Sequence, residues 1–193
     1  MIEQKIRPFF QKYFVDNVAN KLDERISPNS ITLLSLFLGL LSAMTLFIDV
    51  SASVVLLLLS GYLDILDGSI ARVAGKSSDF GTMLDILSDR FVECFIIIAI
   101  FIRQPELAIA GLFMMMSVIV CISSFLLVGI FSQKESHKSF YYSAGLMERA
   151  ETFVFFVIMM IYPDTVLLLS VVFIILVLWT TLYRAYEFYK HQY

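Results

Sequence analysis

The chain has 193 residues, 59% of them hydrophobic and only 16% charged, with a mean hydropathy of +0.84. Soluble domains run at about 45–50% apolar and about 25% charged, so this composition excludes an ordinary soluble domain and points to the membrane class. A net charge of −3 says little about partners, and the length suits one membrane domain with no separate soluble module.

The N-terminal positive charges are not followed by an uninterrupted apolar core, as a signal peptide would require. Residues 1–26 instead predict an amphipathic helix. Phe9, Phe10, Tyr13, Phe14 and Val18 fall near one face, Lys5, Lys12 and Lys21 lie around it, and Pro8 suits a first turn. Such a helix lies along the lipid headgroups. Residues 27–193 then form a second unit containing six apolar segments, at about 30–48, 53–73, 81–102, 107–131, 149–162 and 165–186. Each is near the ~20 residues needed to cross the hydrocarbon. The expected fold is all-α: a bundle of six transmembrane helices preceded by the interfacial helix. The 132–148 interval is the only long polar connection after the N-terminal region. Cys94 and Cys121 lie within apolar runs without metal spacing and read as buried thiols. Tyr141, Tyr142, Trp179, Tyr183 and Tyr186 read as interfacial anchors.

An even number of spans puts both termini on one side of the bilayer. Of the 14 lysines and arginines, only Arg103 then falls on the other side. The positive-inside rule therefore predicts a multi-pass protein with both termini in the cytoplasm. The 74–80 loop faces the cytoplasm too.

That loop joins two segments that carry Asp64, Asp67, Asp85 and Asp89. A carboxylate at the centre of a membrane helix costs roughly 2.5–3.5 kcal/mol on insertion scales, so four of them need a reason. Spacings of three and four residues put each pair on one helix face. The short loop predicts adjacent antiparallel helices that bring all four acids together at the cytosolic end. Without a cation they cannot all ionise. Oxygen ligands suit Mg²⁺, Mn²⁺ or Ca²⁺, and no His or Cys cluster favours zinc. Gly68 and Ala71 keep the same face small, and Gly81 lies one turn before Asp85. Such residues admit either a bulky ligand or a close helix. Arg72 adds a fixed cation of the kind that partners phosphate. Metal, arginine and glycine-lined space together read as a diphosphate site.

These residues fit D-x2-D-G-x2-A-R-x8-G-x3-D-x3-D at every fixed position, over 26 residues from Asp64 to Asp89. The pattern resembles the signature of the CDP-alcohol phosphotransferase family, phospholipid-synthesising membrane enzymes. The resemblance implies displacement at a phosphorus of a CDP-linked substrate by an alcohol, with release of CMP. It implies two divalent ions, Mg²⁺ or Mn²⁺, bridged by Asp64 and Asp85, with Asp67 completing one shell and Asp89 the other. Asp89 is further implied as the general base. Gly68, Arg72 and Ser78 would contact the nucleotide, alongside Ala71 and Gly81 of the same signature. The SPNSIT stretch resembles the family's P-N/D-x-x-T segment, which would add Asn29 and Thr32; a helix cap at Asn29 and a polar first-turn residue at Thr32 explain these two as well.

The acceptor alcohol is less legible. Its candidate contacts are Lys134, Lys138 and Arg149, the last within GLMERAE, which resembles a G-x-x-E-R-x-E pattern of several relatives. Headgroup-facing charge explains the two lysines equally, and a salt bridge explains Arg149. The compact form resembles the branch in which the lipid carries CDP, such as CDP-diacylglycerol, and a polar alcohol attacks. The alternative is a CDP-linked small alcohol attacked by a lipid hydroxyl. A divalent-cation transporter would also use intramembrane acids, but it leaves Arg72 unexplained. The expected partners are the CDP-linked lipid, the alcohol and the bilayer, with no nucleic acid. A homodimer is expected from the family resemblance and from the adaptable MMMS surface at 114–117.

Overall fold

The computed structural model describes Val15, residues 27–132 and residues 147–192. These residues form six helices and no strand: α1 (Pro28–Thr45), α2 (Val50–Val73), α3 (Asp79–Arg103), α4 (Ala108–Ser132), α5 (Arg149–Ile161) and α6 (Val166–Gln192). Short 3-10 turns, Pro105–Leu107 and Pro163–Thr165, lead into α4 and α6. Each apolar segment read from the sequence lies on one of these helices. Four of the helical stretches are long and apolar enough to cross a bilayer: α1, α2, Pro105–Phe131 and Pro163–Lys190. The other two differ for physical reasons. The N-terminal part of α3, up to Glu93, carries Asp79, Asp85, Asp89, Arg90 and Glu93. With 13 residues, α5 reaches only about 20 Å of the ~30 Å hydrocarbon thickness. The amphipathic helix expected over 1–26 lies outside the described residues apart from Val15, which is fully buried with Ile31, Leu66 and Ile70.

Local signals set the boundaries. Pro28 opens α1 at the first helical position, after Ser27 as cap. Asp49 accepts from the Ala52 amide at 3.0 Å to start α2, and Ser78 accepts from the Gly81 amide at 3.1 Å to start α3. Gly75, at φ 62°, supplies the left-handed residue that ends α2. The α3 and α5 helices stop just before Pro105 and Pro163.

Small residues decide how the helices meet. Lipid is as apolar as leucine, so close backbone approach and hydrogen bonds hold such bundles together. Ser35 and Ser60 exchange hydroxyl-to-carbonyl bonds across α1 and α2, each at 2.8 Å. Ser42 and Ser53 do the same one layer away, each at 2.7 Å. On α1, Gly39 faces α3 so closely that a Cβ there would overlap both Cγ atoms of Val92. The sequence predicted α2 and α3 as neighbours because their loop is short. In the structure α1 packs extensively against both, α2 and α3 make little direct contact, and α4 pairs instead with α6. The small-residue face of α1 wins over the short connection, and the separation of α2 from α3 leaves room between their acidic ends. The MMMS surface also needs correction. Met114 and Ser117 are fully buried within the chain, leaving Met116 outward.

Gly39→Ala is expected to lower stability in detergent by about 1–3 kcal/mol, the usual cost of overpacking. Val92 is β-branched, buried and stiff, so Val92→Ala on the Gly39→Ala background should restore part of the loss. Thermal unfolding of the four proteins in the cycle checks this.

Candidate active site

The last turns of α2 carry Asp64 and Asp67, and the first turns of α3 carry Asp85 and Asp89. One carboxylate oxygen from each of Asp64, Asp67 and Asp85 lies within 4.8 Å of the others. All four aspartates line a single cavity of about 940 Å³. Its wall also includes Gly68 and Arg72 of α2, Arg90 and Glu93 of α3, Arg149 of α5 and Arg184 of α6. Deeper in the bundle the wall becomes apolar, with Leu58, Val118, Val157, Phe173 and Val177.

Each aspartate has a distinct environment. Asp64 Oδ1 and Asp85 Oδ1 are buried and accept no hydrogen bond among the described residues. Two such orphaned oxygens beside a third carboxylate form a hard, all-oxygen donor set that fits Mg²⁺, Mn²⁺ or Ca²⁺. The Asp67 side of the cluster is held from behind. Thr32, 3% exposed, donates its hydroxyl to Oδ2 of Asp67, itself 4% exposed. Asp89 is engaged by Arg149, whose Nη1 bonds Asp89 Oδ1 and also lies 2.5 Å from Asp64 Oδ2. The guanidinium sits 5.3 Å from the Phe153 ring centre. That ring in turn lies where a Cβ on Gly61 would be. A packing glycine on α2 thus admits the ring on which the site's central cation rests.

The predicted residues divide into three groups. Asp64, Asp67, Gly68, Arg72, Asp85, Asp89 and Arg149 meet at the cavity. Ala71, Ser78, Gly81, Asn29 and Thr32 are not part of its wall. Lys134 and Lys138 lie outside the described residues. The two signature glycines also part company. A Cβ on Gly68 would touch only Arg72 Nη1, at 3.4 Å, so helix packing does not require this glycine and it leaves cavity space. A Cβ on Gly81 would crowd Ser78 Oγ at 3.1 Å and Asn29 Oδ1 at 3.2 Å, which makes Gly81 a packing residue where α1 and α3 begin. Ser78 serves as the α3 cap. Helix α1 begins at Pro28, so its cap is Ser27 rather than Asn29. Arg72 folds back along its own helix, with Nη2 donating to Ser69 Oγ at 3.0 Å.

Sequence reading passed over Glu93 and Arg184. Glu93 continues the Asp85–Asp89 series by one more turn, and its Oε2 pairs with Arg90 Nη1 at 2.5 Å. The spacing was a usable signal. Arg184, 9% exposed, donates through Nη1 to the Cys121 carbonyl and to Ser124 Oγ, both at 3.1 Å. It sits over the Phe125 ring at 5.3 Å. Nothing in its local sequence separated it from the other cations near the ends of the apolar segments.

The profile of the CDP-alcohol phosphatidyltransferase family matches residues 25–183. The chain belongs to this family. It is therefore a transferase, and the cation-transporter reading falls. Among its relatives, the inner membrane protein YnjF of Escherichia coli strain K12 is 33% identical over 147 residues, 72% of this chain and 71% of that protein. The bifunctional IPC transferase and DIPP synthase of Thermococcus kodakarensis is 34% identical over 76 residues, which are 39% of this chain but 18% of that longer protein. The phosphatidylinositol phosphate synthase of Mycobacterium tuberculosis, in complex with manganese and citrate, superposes with a TM-score of 0.72 at 19% identity. That match covers 90% of this chain and 88% of the other. The same synthase with CDP-DAG bound gives 0.68 over 91% and 94%. At this identity the likeness is one of fold. Helices of spanning length and family membership together make this an integral membrane protein.

Two conservative substitutions should separate charge from architecture. Asp85 has no ion-pair partner among the described residues, so Asp85→Asn is expected to weaken Mn²⁺ binding at least ~10-fold without loss of stability. Asp64→Asn should weaken binding similarly. It should also cost roughly 1–3 kcal/mol, because it removes a charged partner of Arg149. Mn²⁺ titration and thermal unfolding of the metal-free proteins check both.

Proposed function

We propose that the protein transfers a phosphatidyl group from a CDP-linked lipid, such as CDP-diacylglycerol, to the hydroxyl of a polar alcohol and releases CMP. The convergence of Asp64, Asp67 and Asp85 within 4.8 Å, in the wall shared with Asp89 and Arg149, carries this reading. A cavity that is acidic at one end and apolar at the other matches a substrate with a diphosphate head and a hydrocarbon body.

In this reading Asp64 and Asp85 hold two divalent ions, Asp67 serves one and Asp89 the other. Mg²⁺ or Mn²⁺ bound there neutralises charge on the diphosphate and on the departing CMP. Arg72, at the cavity wall beside Gly68, faces the nucleotide phosphates. The alcohol oxygen bonds to the phosphorus that carries the lipid, and the bond from that phosphorus to the CMP oxygen breaks. Asp89 takes the hydroxyl proton. Arg149 fixes the Asp89 carboxylate in place, and positioning of this kind supplies much of the catalysis in such transfers. The thirteen cations on one side of a six-span layout favour a cytoplasmic site with both termini in the cytoplasm.

Arg184 bears on the acceptor. A buried guanidinium in the cavity wall, with Nε lacking a partner among the described residues, favours an alcohol that carries an anionic group. Relatives named as phosphatidylinositol phosphate synthase and archaetidylinositol phosphate synthase support the same class. A homodimer fits the apolar outward surfaces of α3 and α4, including Phe91, Ile98, Leu112 and Phe113. Cross-linking in mild detergent should give a dimer, and a protein that stays monomeric contradicts it.

Asp89 and Asp67 should separate as base and ligand. Asp89→Asn is expected to keep CDP-lipid binding in the presence of Mg²⁺ and to lose the transfer step, since an amide cannot take the proton. Asp67→Asn should weaken CDP-lipid binding itself. Calorimetric titration of CDP-diacylglycerol into both variants decides; equal loss in the two would make Asp89 a metal ligand and leave the base role elsewhere.

A further inference from the structure

Thr32 is 35 residues from Asp67 in the chain and on another helix, yet its hydroxyl bonds Asp67 Oδ2 directly. Both residues are buried to within a few per cent, and Thr32 is absent from the cavity wall that Asp67 helps to form. A residue behind the wall does not reach a ligand in the cavity. The SPNSIT resemblance implied a nucleotide contact for Thr32, and the geometry points elsewhere. We infer that Thr32 is a positioning residue, which fixes the Asp67 carboxylate so that its remaining acceptor capacity faces the cation cluster formed with Asp64 and Asp85.

Three observations support this. First, the hydroxyl has one proton. Its two possible acceptors are the Pro28 carbonyl, at 3.2 Å, and the Asp67 carboxylate, which lies closer. A charged acceptor at shorter range takes the proton. Second, α1 has no freedom to carry Thr32 away. The Ser35–Ser60 and Ser42–Ser53 exchanges fix α1 on α2, and Gly39 seats it on α3. Third, the other members of the cluster show what a held carboxylate leaves free: Arg149 pairs with Asp64 Oδ2 while Oδ1 of Asp64, like Oδ1 of Asp85, accepts nothing among the described residues. Orientation of one ligand by a fixed donor is the outer-shell arrangement whose loss costs ~10–100-fold in metal affinity. It also ties α1, which offers no carboxylate of its own, to the chemistry of α2 and α3.

The inference rests on metal binding at the aspartates, and the experiment keeps the two apart. Mn²⁺ affinity is measured by electron paramagnetic resonance of the full chain in detergent, with no nucleotide or lipid present. Thr32→Val keeps the shape and removes the donor; Thr32→Ser keeps the donor and removes the methyl. Thr32→Val is expected to weaken Mn²⁺ binding ~10-fold or more, and Thr32→Ser to stay close to the native chain. On an Asp67→Asn background, Thr32→Val should add little, because the two residues act as a unit. Should Thr32→Val not fold, Thr32→Ala is read in the same way. Native Mn²⁺ affinity in the donor-less variant, with CMP binding alone impaired, overturns the inference and returns Thr32 to the nucleotide. A native chain that does not bind Mn²⁺ at all overturns both this inference and the metal reading.

Discussion

Three carboxylates that converge within 4.8 Å inside a helical membrane protein set the terms for everything around them. Like charges at that range repel strongly where water is scarce. The structure answers with directed partners rather than by spreading the acids apart. Arg149 bridges Asp64 and Asp89, and Thr32 bonds Asp67. The oxygens left over, Oδ1 of Asp64 and Oδ1 of Asp85, are buried without a donor among the described residues. A site built only for stability would be cheaper as apolar packing. The acids are intelligible as the holder of cations and, through them, of a diphosphate.

The helical frame follows from that requirement. Four carboxylates need α2 and α3 to approach at the ends joined by their short loop, yet a nucleotide needs space between them. Inserting α1 satisfies both. Its serines and Gly39 let it approach α2 and α3 closely enough to set their separation. The short α5 completes the wall because Gly61 admits Phe153, which lies under Arg149. The same small residues that hold the bundle together therefore also set the geometry of the charged groups.

Much of this was legible in the sequence. Hydropathy located all six helices, because each contains an apolar run set off by Pro, Gly, a capping residue or a polar connection. The acidic spacing located the site, because i, i+3 and i, i+4 positions share a face whatever the tertiary arrangement. What failed were inferences that depend on how faces meet. A short loop between α2 and α3 did not make them packing partners, since the small-residue face of α1 is a tertiary fact. The glycines of one motif proved different, Gly68 open to the cavity and Gly81 closed by Asn29 and Ser78, and spacing cannot express that distinction. Arg184 was invisible as a site residue because its place depends on α4 and α6 pairing. Thr32 was read as a nucleotide contact or a polar first-turn residue, and its bond to Asp67 was not foreseen, since a pattern gives a residue's address but not the direction its hydroxyl points.

The central claim is that this cavity performs alcohol-dependent, cation-dependent cleavage of a CDP-linked lipid. The most direct measurement is CMP release from CDP-diacylglycerol by the purified chain in detergent. It is run across serine, glycerol phosphate, inositol, inositol phosphate, ethanolamine and choline, with Mg²⁺, with Mn²⁺ and with excess chelator. The account predicts CMP release only when a divalent ion and one acceptor class are both present, with an anionic acceptor preferred because of Arg184. CMP release that continues undiminished in chelator, or that fails with every alcohol while a CDP-linked small alcohol is consumed against a lipid hydroxyl, would contradict it.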